Sequence, residues 1–222
     1  MTAEELMYQM LRGRTIIPPF RWNLNEDTAI RLLTAAYMMQ VKLSYRQYID
    51  DAATRHNIAN VAKALISLGS PKFGIVLCGQ CGNGKSTMLA AISAANDFLE
   101  KRRYFGYFTA NGYSDTLNVH IHTYHAVTMA ADKEELMHYA EVPCLGIEDL
   151  GNEPKEVQSY GNIITPMATI LEERYARRLT TFITTNLPPE DIENKYGKRL
   201  ADRFREMMIA VPFDNPSYRN VK

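Results

Sequence analysis

Residues 79 to 86, G-Q-C-G-N-G-K-S, satisfy the template G-x-x-x-x-G-K-[ST] at every fixed position, with the flanks that this template requires. Upstream, the apolar run Phe73 to Cys78 reads as a buried strand. Downstream, Ser86 to Glu100 carries Met88, Leu89, Ile92, Phe98 and Leu99 among alanines and reads as a helix. A glycine-rich turn between a strand and a helix start is a phosphate cradle. Gly79, Gly82 and Gly84 let the backbone curl until successive N–H groups face phosphate oxygens, and the positive helix end favours the same charge. Asn83 and Thr87 belong to the same contact set. Lys85 is placed to reach the β- and γ-phosphates, and Ser86 to offer its hydroxyl to Mg²⁺. The stretch predicts a nucleotide site for ATP and Mg²⁺.

Such a loop needs an acidic partner on a strand of its own, and P-C-L-G-I-E-D-L-G at residues 143 to 151 supplies one. Leu145 to Ile147 form the apolar strand, which ends in Glu148 and Asp149. Adjacent carboxylates at the carboxyl end of a parallel strand divide the work: one orients water around Mg²⁺, the other polarises the attacking water. Alone, these residues describe a solvated strand end before a glycine turn. Beside a phosphate loop they describe an acid pair.

Two further pieces follow. In T-T-F-I-T-T-N-L-P-P-E-D-I, residues 180 to 192, Asn186 lies just past a β-rich run, where an amide can hold the lytic water near a γ-phosphate. Pro188 and Pro189 stop the strand, and Glu190 and Asp191 suit a first helical turn. Standing alone, T-N-L-P-P is a turn. In Y-G-K-R-L-A-D-R-F-R-E, residues 196 to 206, Arg199 and Arg203 share a helix face and can present guanidinium groups to a neighbour's phosphate. The plainer alternative is a surface helix laced with Arg–Asp pairs.

In this order the four pieces resemble the AAA+ ATPases of the DnaC/IstB-like family, which are bacterial replicative helicase loaders and ATPase helpers of insertion-sequence transposition. The resemblance covers about residues 71 to 219. It is carried by the gapless run L-E-E-R-Y-A-R-R-L-T-T-F-I-T-T-N-L-P-P-E-D-I-E-N-K-Y-G-K-R-L-A-D-R-F and by P-S-Y-R, Pro216 to Arg219. It implies that Lys85 and Ser86 contact phosphate and Mg²⁺, and that Glu148 and Asp149 are the acidic pair that completes the metal site. It further implies Asn186 as first sensor, Arg203 as arginine finger with Arg199 beside it, and Arg219 as second sensor. The strand bearing Asn186 is implied to lie between the strands bearing the phosphate loop and the acid pair. Three departures are visible: Glu148 stands where the family has Asp, the N-terminal part is short and lacks the cysteine pattern of some loaders, and residues 104 to 125 exceed the family's link into its second strand.

Composition excludes more than it selects. The chain has 222 residues, 46% of them hydrophobic, and its 25 basic residues balance its 25 acidic ones. Whole-protein charge therefore does not drive nucleic-acid binding, which would need a local patch or an assembled ring. No run approaches the roughly 18 apolar residues of a membrane span, and no signal peptide is evident, so a soluble, cytoplasmic protein without a membrane partner is expected. Cys78, Cys81 and Cys144 are too few and too oddly placed for a disulfide scaffold. Cys78 and Cys81 form a C-x-x-C, but inside the strand and phosphate loop and without a second ligand pair at zinc-site spacing.

Between loop and acid pair, Tyr104 to Thr109 is aromatic and β-prone, Asn111-Gly112 is a turn signal, and Val119, Ile121 and Thr123 alternate with His120, His122 and Tyr124. A hairpin or extended tongue is expected. His120 and His122 share a strand face that reads as polar rather than metal-binding. Tyr104, Phe105, Tyr107, Phe108 and Tyr113 beside Lys101, Arg102 and Arg103 either pack in a core or stack single-stranded bases. Upstream, Glu4 to Leu11, Thr28 to Val41 and Tyr45 to Leu68 read as helices, the second apolar nearly all round.

The expected architecture is a three-layer α/β P-loop NTPase of AAA+ type around a mostly parallel sheet. Residues 1–43 form a short N-terminal helical segment and residues 44–222 the ATPase domain. Met208 to Phe213 is the last strand, and no helical lid domain follows it. The expected activity is ATP hydrolysis in a helper of DNA replication or transposition. Its clients would be a replicative helicase or a transposase, with single-stranded DNA a further partner, and it would form homo-oligomers on ATP. The alternatives are a nucleotide-regulated scaffold with little turnover and a small-molecule or nucleotide kinase.

Overall fold

The apolar run before the phosphate loop and the three β-rich runs that follow it are strands of one sheet in the computed structural model, which describes residues 1–12, 19–104, 120–132, 135–159 and 162–220. The helices α1 (Ala3–Leu11), α2 (Glu26–Leu43) and α3 (Ala52–Ile66) precede β1 (Gly74–Gly79) and the phosphate-loop helix α4 (Lys85–Tyr104). There follow β2 (His122–His125), α5 (Ala126–Ala131), α6 (Leu136–Glu141), β3 (Cys144–Leu150), a hairpin of β4 (Val157–Ser159) and β5 (Asn162–Ile164), and α7 (Pro166–Ala176). The chain continues through β6 (Thr180–Thr185), α8 (Pro189–Tyr196), α9 (Lys198–Met207) and β7 (Met208–Phe213), then a 3-10 turn at Tyr218–Asn220.

The sheet order is β2-β3-β6-β1-β7, and every pairing is parallel. A parallel sheet is covered on both faces, so its strands read as continuous apolar runs. Successive side chains alternate between the layers. Ile75, Leu77 and Phe182 join Leu33, Tyr37, Ile58, Leu65, Met88 and Ile92 beneath α2, α3 and α4. Val76, Ile147 and Ile183 join Met129, Tyr139, Ile170, Leu171 and Phe204 on the other face. This is the three-layer α/β core expected, with β6 between β1 and β3 as the resemblance implied.

Local signals explain most boundaries. Asn25 caps α2 by accepting the Thr28 N–H at 2.8 Å, and Asp51 caps α3 by accepting that of Thr54 at 2.7 Å. The third helix therefore starts later than its apolar pattern suggested, because Tyr45 takes a positive φ of 55° and no helical turn forms before the Asp51 cap. The acid strand runs further than expected, to Leu150. Its register shifts after Ile147, and Thr184 and Thr185 on β6 bond the displaced backbone through their hydroxyls. The fully buried Arg174 on α7 gives its guanidinium to the Thr181 hydroxyl and to the carbonyls of Tyr139, Val142 and Thr180, which ties α6, α7 and β6 together.

The proposed stacking segment falls mostly outside the described residues. Of its histidines, His120 lies 3.1 Å from the Asp97 carboxylate, and its ring meets that of His122 edge-on at 5.0 Å. Among the described residues, no group of three or more His, Cys, Asp or Glu side chains could hold a metal ion. Among them, too, no helix is long and apolar enough to cross a membrane. Cys78, Cys81 and Cys144 are free thiols.

Candidate nucleotide site

At the carboxyl ends of β1, β6 and β3 the chain opens a cleft of ≈ 460 Å³. Gly82, Asn83, Gly84, Lys85, Ser86, Thr87, Asp149, Asn186 and Arg219, all singled out from the sequence, line it together. The loop's glycines do what the template requires. Gly82 (φ 84°) and Gly84 (φ 97°) are left-handed, and a Cβ on them would collide with the hydroxyls of Ser217 and Tyr37.

Lys85 Nζ donates to the carbonyls of Gly79 (2.8 Å) and Gln80 (2.7 Å) and to the amide oxygens of Asn83 (3.1 Å) and Asn186 (2.9 Å). Burial pulls this ammonium below its ordinary pKa, Asp149 pulls it back up, and Arg219 adds to the depression. Asn83 is oriented by its own amide N–H₂, which donates to the Phe213 carbonyl at 2.7 Å.

Asp149 has a positive φ of 54°, which a residue with a Cβ adopts only when its surroundings demand it. Its N–H donates to the Thr184 hydroxyl at 2.9 Å, and its Oδ2 lies 3.4 Å from His125 Nε2. Nδ1 of that imidazole accepts the Val127 N–H at 3.3 Å, so in the neutral ring the proton resides on Nε2, facing the acid. Glu148 is half-buried. Burial and the neighbouring Asp149 raise its pKa, and His125 opposes them.

Of the oxygen donors the sequence offered to Mg²⁺, the Ser86 hydroxyl and the Asp149 carboxylate line the cleft and the Glu148 carboxylate does not; oxygen ligands are those that suit a hard dication. A bound ion would draw its remaining ligands from phosphate and water, as is usual for Mg²⁺.

Arg199 and Arg203 do not line the cleft. Both turn toward one carboxylate on α7, with Glu172 Oε1 at 3.2 Å from Arg203 Nη1 and 3.9 Å from Arg199 Nε. The Arg203 guanidinium also lies 5.1 Å over the Tyr175 ring.

The cleft has a second wall that the sequence did not disclose. Tyr37, Val41, Ser44, Arg46, Gln47, Ile49, Thr54 and Tyr218 extend it beyond the phosphate loop. Tyr37 was readable only as one apolar residue of a helix, yet burial, followed by Tyr218, Tyr48 and Asp51, holds its hydroxyl proton up to a pKa of about 12. Tyr218 joins this wall through its hydroxyl, 2.8 Å from that of Thr54.

No protein-family model and no curated protein matches the sequence. Solved structures do. A candidate primosome component from Streptococcus pyogenes serotype M3 shares 24% identity over 78% of this chain and 85% of its own, with a TM-score of 0.52. Looser likenesses, with TM-scores of 0.44 and 0.46, extend to DnaI (22% identity, 75% of this chain, 87% of that one) and to the DnaC helicase loader (16%, 82% and 98%). The parallel order β2-β3-β6-β1-β7, the glycine loop between β1 and α4 and the likeness to the primosome-component structure together give this chain a three-layer α/β fold of P-loop type.

Proposed function

We propose that the protein is an ATP-hydrolysing AAA+ switch of the helicase-loader or transposition-helper type, acting on a replicative helicase or a transposase. The observation that carries this reading is the convergence of Lys85, Asn186 and Asp149 at the carboxyl ends of three adjacent strands, with Lys85 Nζ and Asn186 Oδ1 2.9 Å apart. That arrangement suits attack by water on a terminal phosphoryl group. The loop's N–H groups and Lys85 hold the phosphates, Asn186 orients the water, and Asp149 draws its proton. When bound through Ser86, Glu148 and Asp149, Mg²⁺ supplies positive charge against the phosphate oxygens. Arg203, outside its own cleft, serves that of a neighbouring copy, so the active unit is a homo-oligomer formed on ATP.

The half-buried Glu148 in the family's Asp position, with its raised pKa, favours a second reading: a scaffold that binds ATP and barely turns it over. Thin-layer analysis of labelled ATP, with and without single-stranded DNA, separates the two. Release of phosphate by the wild-type protein and none by Lys85→Ala supports the ATPase. Tight binding without release leaves the scaffold.

A further inference from the structure

Among the described residues Glu153 is the only buried acid, at 2% exposure, and it lies outside the cleft. A buried carboxylate is costly unless donors surround it. Its Oε2 accepts the Gly151 N–H at 2.8 Å, its Oε1 accepts the Tyr196 hydroxyl, and Lys195 Nζ lies 3.2 Å from Oε1. Lys195 also donates to the carbonyls of Gly151 (2.6 Å) and Glu153 (2.5 Å). Both backbone polar groups of Gly151 are thus taken up by this cluster.

Gly151 belongs to the turn that begins at Asp149. The Asn152 N–H closes that turn on the Asp149 carbonyl at 3.1 Å, and both Asp149 and Gly151 have positive φ. From the other side, Thr184 holds the Asp149 N–H, and the Leu187 side chain fills the space where a Gly151 Cβ would stand. A left-handed conformation at a residue with a Cβ persists only when its surroundings over-determine it. The turn is gripped front and back, and the back grip is Glu153 with two residues at the end of α8, the helix that follows Asn186.

The geometry points to Glu153 as a positioning residue: with Lys195 and Tyr196 it latches the 149–152 turn so that the Asp149 carboxylate faces the cleft in register with Asn186. The inference rests on the hydrolytic reading above. Glu153 does not line the nucleotide cleft. It acts through the backbone of Gly151, and its loss alters the alignment of Asp149 while leaving the phosphate loop untouched.

The test uses the full chain with Glu153→Gln and Tyr196→Phe. Steady-state hydrolysis is compared with equilibrium binding of a fluorescent ATP analogue, with melting temperature, and with amide exchange over residues 147–152. Glu153→Gln is expected to lower kcat by about 10- to 100-fold, the usual scale for an outer-shell partner. KM and analogue affinity should stay within about 3-fold, the split that marks a loss confined to the transition state. Tyr196→Phe lowers kcat in the same direction by less, and exchange at 149–152 quickens in both variants while that at 79–86 does not. Wild-type kcat in a folded Glu153→Gln protein overturns the latch, as does a parallel loss of kcat and affinity, which would mark a merely structural cluster. If Glu153→Gln does not fold, Tyr196→Phe decides by the same criteria. If the wild-type protein hydrolyses nothing, the ATPase reading fails on its own, and unchanged exchange at 149–152 then overturns the latch.

Discussion

The Tyr218 N–H donates to the Gly82 carbonyl at 2.9 Å, which stitches the segment after β7 to the middle of the phosphate loop. Asn215, which is buried, gives its amide N–H₂ to the Asn83 carbonyl at 3.1 Å and accepts from Asn57 on α3 at 2.7 Å. The loop is thus shaped by two elements besides its own strand and helix: the segment after β7 directly, and α3 through Asn215. Asn215→Ala should cost about 2 kcal/mol, since it leaves buried amide partners unsatisfied. Chemical denaturation should report that loss, and titration with a fluorescent ATP analogue should show weaker binding. Unaltered affinity would mean that the loop keeps its shape without the strap.

ATP with Mg²⁺ should raise the melting temperature of the wild-type protein. A ligand that binds only the folded state adds roughly 2.7 kcal/mol at about 100 times its Kd. Lys85→Ala should abolish the shift, because Nζ is a buried cation held between the loop carbonyls and Asn186. A full shift in the variant would remove Lys85 from the site.

Arg203→Ala should retain ATP binding and lose hydrolysis by about 10³-fold or more, the scale of arginine fingers. The wild-type rate per subunit should rise with protein concentration. Mixing the Lys85→Ala and Arg203→Ala proteins should recover part of the activity, since some interfaces then pair an intact loop with an intact arginine. In the isolated chain Arg203 is held by Glu172, so Glu172→Gln should ease the arginine's transfer to a neighbour and lower the concentration at which activity appears. Rates independent of concentration, with no recovery on mixing, would confine the arginine to its own chain.

Glu148 supplies a pH test. Burial raises its carboxyl pKa above the ordinary glutamate value in the folded protein. Protonation therefore favours the folded state: the benefit is full below the ordinary value and is lost as pH rises through the raised one. Without added Mg²⁺, Glu148→Gln should accordingly raise the melting temperature at neutral pH and lose that advantage as the pH falls toward 4. An equal gain at both pH values would trace the effect to packing rather than charge.

What could be read from the residues follows from how local each signal is. The strands β1 and β7 announce themselves as apolar runs, and the Asn186 turn and the helix after it by their prolines and acids. The neighbours of β6 are a different matter: no local pattern states which strands flank it, and only the resemblance to a family supplied that order. The acid strand was cut short because the threonine hydroxyls that extend it lie on another strand. Glu153 went unread for a similar reason. An acid a few residues past a strand end looks solvated until Lys195 and Tyr196, more than forty positions away, are folded against it. The tyrosines of the second wall were visible as aromatic residues, but their facing the loop is a product of tertiary packing.

The parallel pairing of β1 has a consequence in time. Its partners are Thr181–Thr185 on one side and Met208–Phe213 on the other, so the centre of the sheet joins segments more than a hundred positions apart. Contacts of such long range are slow to form, because the entropy of closing the intervening loops is lost before any pairing compensates for it. During synthesis, β1 and the glycine turn behind it emerge early and wait for the last third of the chain, with their apolar faces uncovered. The loop that would bind phosphate is therefore among the last parts to take its shape. Nucleotide affinity should appear late in refolding, together with the final burial of the sheet rather than ahead of it.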